Sequence, residues 1–169
     1  LGGHQYTGRI EFLPFGNFAS QGDYKGSDLK REPTPKLALG VSYDFNNNAV
    51  KTRSNQGAYM VNEDGIFHET NISTLYVDAM FKYKGFSFMG EYANRDADQP
   101  IAVDTDGITP TGDVVLIGNA LNLQVGYLFK SNYEIAARYT TLTYDVKTGS
   151  LPTDQYTLGG SRYIVGHKL

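Results

Sequence analysis

The sequence predicts an all-β protein, an antiparallel transmembrane β-barrel of which this chain supplies about seven strands. Three observations predict it. Apolar and polar residues alternate in runs of about 9 to 11 residues, the length a tilted strand needs to cross the hydrocarbon of a membrane. Long and short connections follow each other in turn, as in outer-membrane barrels with their short inner turns and longer outer loops. Finally, no stretch of useful length carries the 3.6-residue period of an amphipathic helix.

The clearest element is the hairpin Thr74 to Arg95, TLYVDAMFKYKGFSFMGEYANR, turning at Lys84-Gly85 where glycine accepts a positive φ. One of its faces carries Leu75, Val77, Ala79, Phe81, Tyr83, Phe86, Phe88, Gly90 and Tyr92. The other carries Thr74, Tyr76, Asp78, Met80, Lys82, Ser87, Met89, Glu91 and Ala93. Every charge falls on one side and most aromatic bulk on the other. Gln5 to Leu13 alternates in the same way and ends at Pro14, which cannot donate to a ladder. Residues 15 to 35 form an irregular connection rich in Gly, Asp, Lys and Pro. Lys36 to Phe45 sets Leu37, Leu39, Val41, Tyr43 and Phe45 against Ala38, Gly40, Ser42 and Asp44. Asn46-Asn47-Asn48 opens a long polar connection to about Asn71, and a second, rich in Asp, runs from Asp96 to Gly118. Asn119 to Phe129 and Tyr133 to Thr141 make a further hairpin about Lys130-Ser131-Asn132. Gln155 to Val165 is the last strand, with an unclear phase at Gly159-Gly160, before a turn at Gly166-His167.

Alternation alone does not say which face is wet. The apolar face of the first six strands carries no charge, and Tyr and Phe gather at its ends, as aromatic girdles do at the two membrane interfaces. These features favour lipid over a dry core. Seven strands is an odd number, whereas bacterial single-chain barrels are even, and an open edge in lipid leaves backbone groups unpaired. The expectation is therefore a single β-barrel segment over residues 1–169, an incomplete part of a larger barrel. The absence of a cationic, apolar leader fits a mature or internal piece.

Composition narrows the function. Cys is absent, which removes disulfides, thiolate metal sites and cysteine nucleophiles. A net charge of −3 without a basic run argues against nucleic acid. No segment approaches the roughly 18 apolar residues of a spanning helix. His4, His68 and His167 lack partners at ligand spacing. Asp104-Thr105-Asp106-Gly107 is like the start of a calcium loop but lacks its bidentate Glu, and reads more simply as an acidic outer loop. Asn71-Ile72-Ser73 fits a glycosylation acceptor in form only. No nucleophile-base pair, phosphate-cradling glycine loop or carboxylate pair is defensible, so neither an enzyme, a cofactor nor a metal is expected.

The runs YTGRIEFLPFG (Tyr6 to Gly16), GSDLKREPTPKLALGVSYDFN (Gly26 to Asn46) and FKYKGFSFMGEYANR (Phe81 to Arg95) resemble the phosphate-selective porin O and P family. ALNLQVGYLF (Ala120 to Phe129), YEIAARYT (Tyr133 to Thr140) and SRYIVGHKL (Ser161 to Leu169) are similar to its C-terminal part. The resemblance implies the C-terminal portion of a larger barrel of roughly 16–18 strands. It also implies a bacterial outer-membrane location, contact with membrane lipid and lipopolysaccharide, a homotrimer or membership of an outer-membrane complex, and passage of small hydrophilic or anionic solutes, phosphate included. The arginines and lysines on which the family's selectivity rests have no residue-by-residue match here.

If the polar face lines a lumen, Arg9, Lys82, Arg138 and Arg162 stand against Glu11, Asp44, Asp78, Glu91 and Glu134. This mixture is no ring of one sign, the arrangement that selects ions. The bland alternative is that these charges pair across strands and keep the wall wet. Residues 15 to 35 depart from the long-short rhythm, which places them on the periplasmic side. Lys25, Lys30 and Arg31 could present cations at that mouth, or simply decorate an ordered surface loop. The leading expectation is a passive diffusion channel. A structural or accessory barrel of low conductance is the alternative, and a soluble barrel binding an apolar ligand is a third.

Overall fold

A computed structural model of the chain describes residues 2–19, 26–145, 148 and 151–165. The strands in chain order are β1 Gln5–Phe12, β2 Lys36–Ala49, β3 Lys51–Arg53, β4 Gln56–Tyr59, β5 Thr70–Tyr83, β6 Phe86–Ala97, β7 Ile101–Val103, β8 Pro110–Val114, β9 Gly118–Leu128, β10 Tyr133–Tyr144 and β11 Thr153–Arg162. Seven of them make one antiparallel sheet in the order β1-β2-β5-β6-β9-β10-β11. The two small pairs, β3-β4 and β7-β8, lie within the long connections.

Sequence neighbours pair throughout the main sheet, so the alternation of each strand is handed to the next without a change of face. One cross-strand row reads Arg9, Ser42, Tyr76, Ala93, Ala120, Leu142 and Thr153. The next reads Glu11, Gly40, Asp78, Glu91, Asn122, Thr140 and Gln155. The opposite face carries Ile10, Val41, Val77, Tyr92, Leu121 and Leu123. The β5-β6 turn places Lys84 at φ 48° and Gly85 at φ 91°. Two successive positive φ values give the twist that suits a two-residue hairpin. A Cβ on Gly85 would also lie 2.5 Å from the carbonyl oxygen of Leu128.

The strands run further than the alternation predicts at the long-connection end. Asn46-Asn47-Asn48 does not stop β2: Asn48 turns at φ 49°, the register shifts between Asn46 and Ala49, and pairing resumes at Ala49 with Thr70. Asparagine tolerates that left-handed conformation, so a bulge stands where a loop is expected.

Packing is concentrated at the two ends. At the long-connection end Ala49, Met60, Ile72, Ala97, Ala102, Val115 and Ile117 form a buried cluster that joins both long connections to the ends of β2, β5 and β6. At the short-turn end Phe18, Ala38 and Met80 are buried, with Leu13 and Met89 packed against them. Ala38, Met80 and Met89 share one row of the polar face, so residues 13–19 fold over that face. The aromatic face remains open: Ile10 is 78%, Val77 40%, Val125 42% and Leu158 79% exposed.

Candidate functional site

The middle of the polar face is built from side chains that reach across whole strands. Asp78 of β5 receives two hydrogen bonds from the Arg9 guanidinium of β1, at 2.6 and 2.9 Å, although β2 lies between them. Arg9 also donates to Ser42 Oγ at 3.1 Å. The bridge is possible because β2 offers Gly40 at that point. A Cβ there would lie 2.6 and 2.7 Å from the Asp78 oxygens. Gly126 does the same on β9, where a Cβ would lie 2.6 Å from Glu134 Oε1 and 2.9 Å from Ser87 Oγ. Missing side chains at these two glycines give neighbouring polar groups their room.

Further along the same rows, Asn122 donates to Glu91 Oε2 at 2.8 Å, and the Thr140 hydroxyl donates to Asn122 Oδ1 at 3.0 Å. Arg138 donates to Gln124 Oε1 through two nitrogens, at 3.0 and 2.8 Å. Asp44 accepts from Gln5 and Thr7. A recess of about 420 Å³ opens over Arg9, Ser42, Tyr76, Asp78, Glu91 and Asn122. A second, of about 280 Å³, shares Tyr76, Ala93 and Ala120 with it and continues toward Arg95 and Tyr144.

The connection from β1 to β2 is clamped onto the short-turn end by buried polar groups. The Asp28 carboxylate accepts the Glu32 backbone N–H at 3.0 Å and the Gly85 N–H at 2.8 Å. Glu32 accepts from Ala19 N at 2.5 Å, and its carbonyl accepts from Lys84 N at 2.9 Å. Lys82 Nζ donates to Ser27 O at 3.1 Å and stands 5.9 Å from the Phe18 ring. The Arg31 guanidinium donates to Phe129 O at 2.7 Å and Asn132 Oδ1 at 2.9 Å, tying the connection to the β9-β10 turn.

The expected lining residues therefore divide. Arg9, Glu11, Asp44, Asp78, Glu91 and Arg138 share the polar face and are at least partly open. Lys82 and Glu134 share its parity but are buried: Lys82 by the folded connection, Glu134 under a 2.6 Å hydrogen bond from Tyr163. Arg162 corrects the expectation. Its register partner is Tyr133 of the aromatic face, and its guanidinium lies 5.3 Å from that ring. On β11 the odd-numbered residues face the polar side, and Gly159-Gly160 hid the phase. Of the expected mouth cations, Lys30 is exposed, Arg31 is engaged as described, and Lys25 lies outside the described residues. His167 lies outside them too.

The long connections are also more ordered than their polar composition predicts. Glu63 N donates to Asp104 Oδ1 at 2.9 Å, Thr105 Oγ1 donates to Glu63 Oε1 at 3.0 Å, and His68 Nε2 lies 3.0 Å from Gln99 O. Asp106, in the stretch read above as an acidic outer loop, accepts from Ile108 N, Thr109 N and the Thr109 hydroxyl. These bonds hold its carboxyl below the usual carboxylate range, the Thr109 hydroxyl contributing most. Among the described residues no group of three or more His, Asp or Glu is placed to hold a metal. No family model matches this chain, nor does any curated protein or solved structure.

Proposed function

We propose that the chain is part of the wall of a bacterial outer-membrane porin. In this reading the aromatic face meets acyl chains, the polar face meets water, and small hydrophilic solutes diffuse past it. The observation that carries the reading is the exposed, contiguous face of Val, Leu, Ile, Phe and Tyr across seven antiparallel strands. Large contiguous exposed apolar faces mark contact with a membrane or another protein and are rare on soluble monomers. Strands β2, β5, β6, β9, β10 and β11, of 10 to 14 residues, are long enough to cross the hydrocarbon when tilted.

The sheet edges refine the proposal. With seven antiparallel strands, β1 and β11 run in the same direction. Unpaired edges cost several kcal/mol per backbone group in lipid, so an odd number of further strands closes the wall in antiparallel fashion. A trimer and contact with lipopolysaccharide belong to the same proposal. Conductance of the full-length protein in a planar bilayer tests it. Stepwise channels support it, and detergent-free solubility as a monomer without conductance refutes it.

A second reading has its own support. The clusters around Met60 and Phe18 narrow the polar side at both ends, which suits an accessory barrel of an outer-membrane complex that conducts little. An intact, membrane-inserted protein without channels would favour it. The third reading, a soluble barrel with an apolar ligand, has against it the exposure of the apolar face.

A further inference from the structure

Two neighbouring rows of the polar face differ sharply in chemistry. Tyr76, Ala93, Ala120 and Leu142 stand side by side on β5, β6, β9 and β10 and offer no charge. Asp78, Glu91, Asn122 and Thr140 occupy the next row, two residues along each strand. Four strands span roughly 14 Å at a spacing of about 4.8 Å. The two adjoining recesses follow this strip, with the Tyr76 ring, 41% exposed, at one end.

We propose that this strip binds a neutral, hydroxyl-rich solute, a short oligosaccharide by class. The inference rests on the channel reading above. A sugar ring has an apolar face of C–H groups and a rim of hydroxyl donors. The alanines and the Tyr76 ring accommodate the first, and the carboxylate and amide oxygens of the adjacent row accept from the second. An anion is the poorer fit. At the first recess the Arg9 guanidinium is bidentate to Asp78 and the Glu91 carboxylate is directed along the strip. Among the described residues the one cation of the second recess, Arg95, lies beyond the alanines and donates to Thr74 Oγ1 at 3.3 Å.

Single-channel recording of the full-length protein in potassium chloride, titrated with maltotriose and separately with sodium phosphate, tests this. Maltotriose should block the current saturably. Tyr76→Ala should raise the half-blocking concentration about threefold or more, the scale of a lost aromatic contact, with little change in potassium chloride conductance. Tyr76→Phe should keep the block, which separates loss of the ring from loss of the fold, and Glu91→Gln should weaken it. Channels that maltotriose does not block, that phosphate blocks instead, or that block equally in all variants overturn the proposal and leave the channel standing. Absence of channels overturns both.

Discussion

Val77 and Asp78 are adjacent in β5 and point to opposite faces, so one substitution at each tests the sidedness of the whole sheet. Val77 sits mid-strand between Val41 and Tyr92, and its cross-strand row carries no charge until Asp154 on β11. On the porin reading proposed above, Val77→Arg would place a guanidinium at the centre of the lipid face, at a cost of roughly 2–4 kcal/mol. Asp78→Arg meets different surroundings. It loses the Arg9 pair, whose side chains are 45% and 34% exposed and whose contribution is at most about 1 kcal/mol for so wet a pair. The new guanidinium repels Arg9 but lies directly opposite Glu91, which compensates it in part. The expected difference between the two variants is therefore roughly 1–3 kcal/mol, with Val77→Arg the worse. Urea unfolding of vesicle-inserted protein, followed by the circular dichroism of the strands, measures it. Equal stability of the two variants, or a more stable Val77→Arg, would refute the assignment of faces.

Three further outcomes are expected. Gly40→Ala should remove the coupling between Arg9 and Asp78 in a double-mutant cycle. It should also leave overall stability within about 1 kcal/mol, because the lost pair is offset by the lower unfolded-state freedom of alanine. Asp28→Ala should leave the buried Gly85 and Glu32 amides without an acceptor, at about 1–3 kcal/mol each, and speed their hydrogen exchange while the Val125 amide in β9 stays protected. Asp106 should titrate below an ordinary aspartate. A depressed folded-state pKa means that its contribution to the β7-β8 turn is present at neutral pH and is lost as pH falls through that lowered value, which the Ile108 and Thr109 amide shifts will report.

The seven-strand sheet was legible because period-two patterning is redundant: each strand repeats the sorting several times, and hairpin neighbours must agree. What escaped was short or spatial. Strands of three to five residues such as β3, β7 and β8 are too brief for a period, and the polar connections that hold them read as loop. Met60, Ala102 and Val115 stand in short apolar runs far apart in the chain, so nothing local announces that they meet in one cluster. Arg162 was misplaced because two glycines erase the alternation that would have shown its face. Gly40 and Gly126 looked like fillers of the polar side. Their role depends on residues of strands that flank them in the sheet, Arg9 with Asp78 and Ser87 with Glu134, a relation the linear order does not display.

The distribution of packing along the polar face bears on which solvent that face meets. A sheet covered by a second sheet buries the middle of its inner face most deeply and leaves the ends wet. Here the gradient is reversed: Phe18 and Met80 close one end, Met60 and Ile72 the other, and the middle holds an ion pair, Glu91, Asn122 and the Tyr76 hydroxyphenyl ring. Covering that middle with apolar side chains would strand charged groups at several kcal/mol each, a cost that a half-exposed pair such as Arg9-Asp78 does not repay. Covering it with water costs nothing. The aromatic face presents the complementary problem, since its valines and leucines gain from any apolar environment and from water gain nothing. A sheet that is wet at the middle of one face and apolar over most of the other, with Arg162 and Asp154 confined to β11, fits the channel wall proposed above.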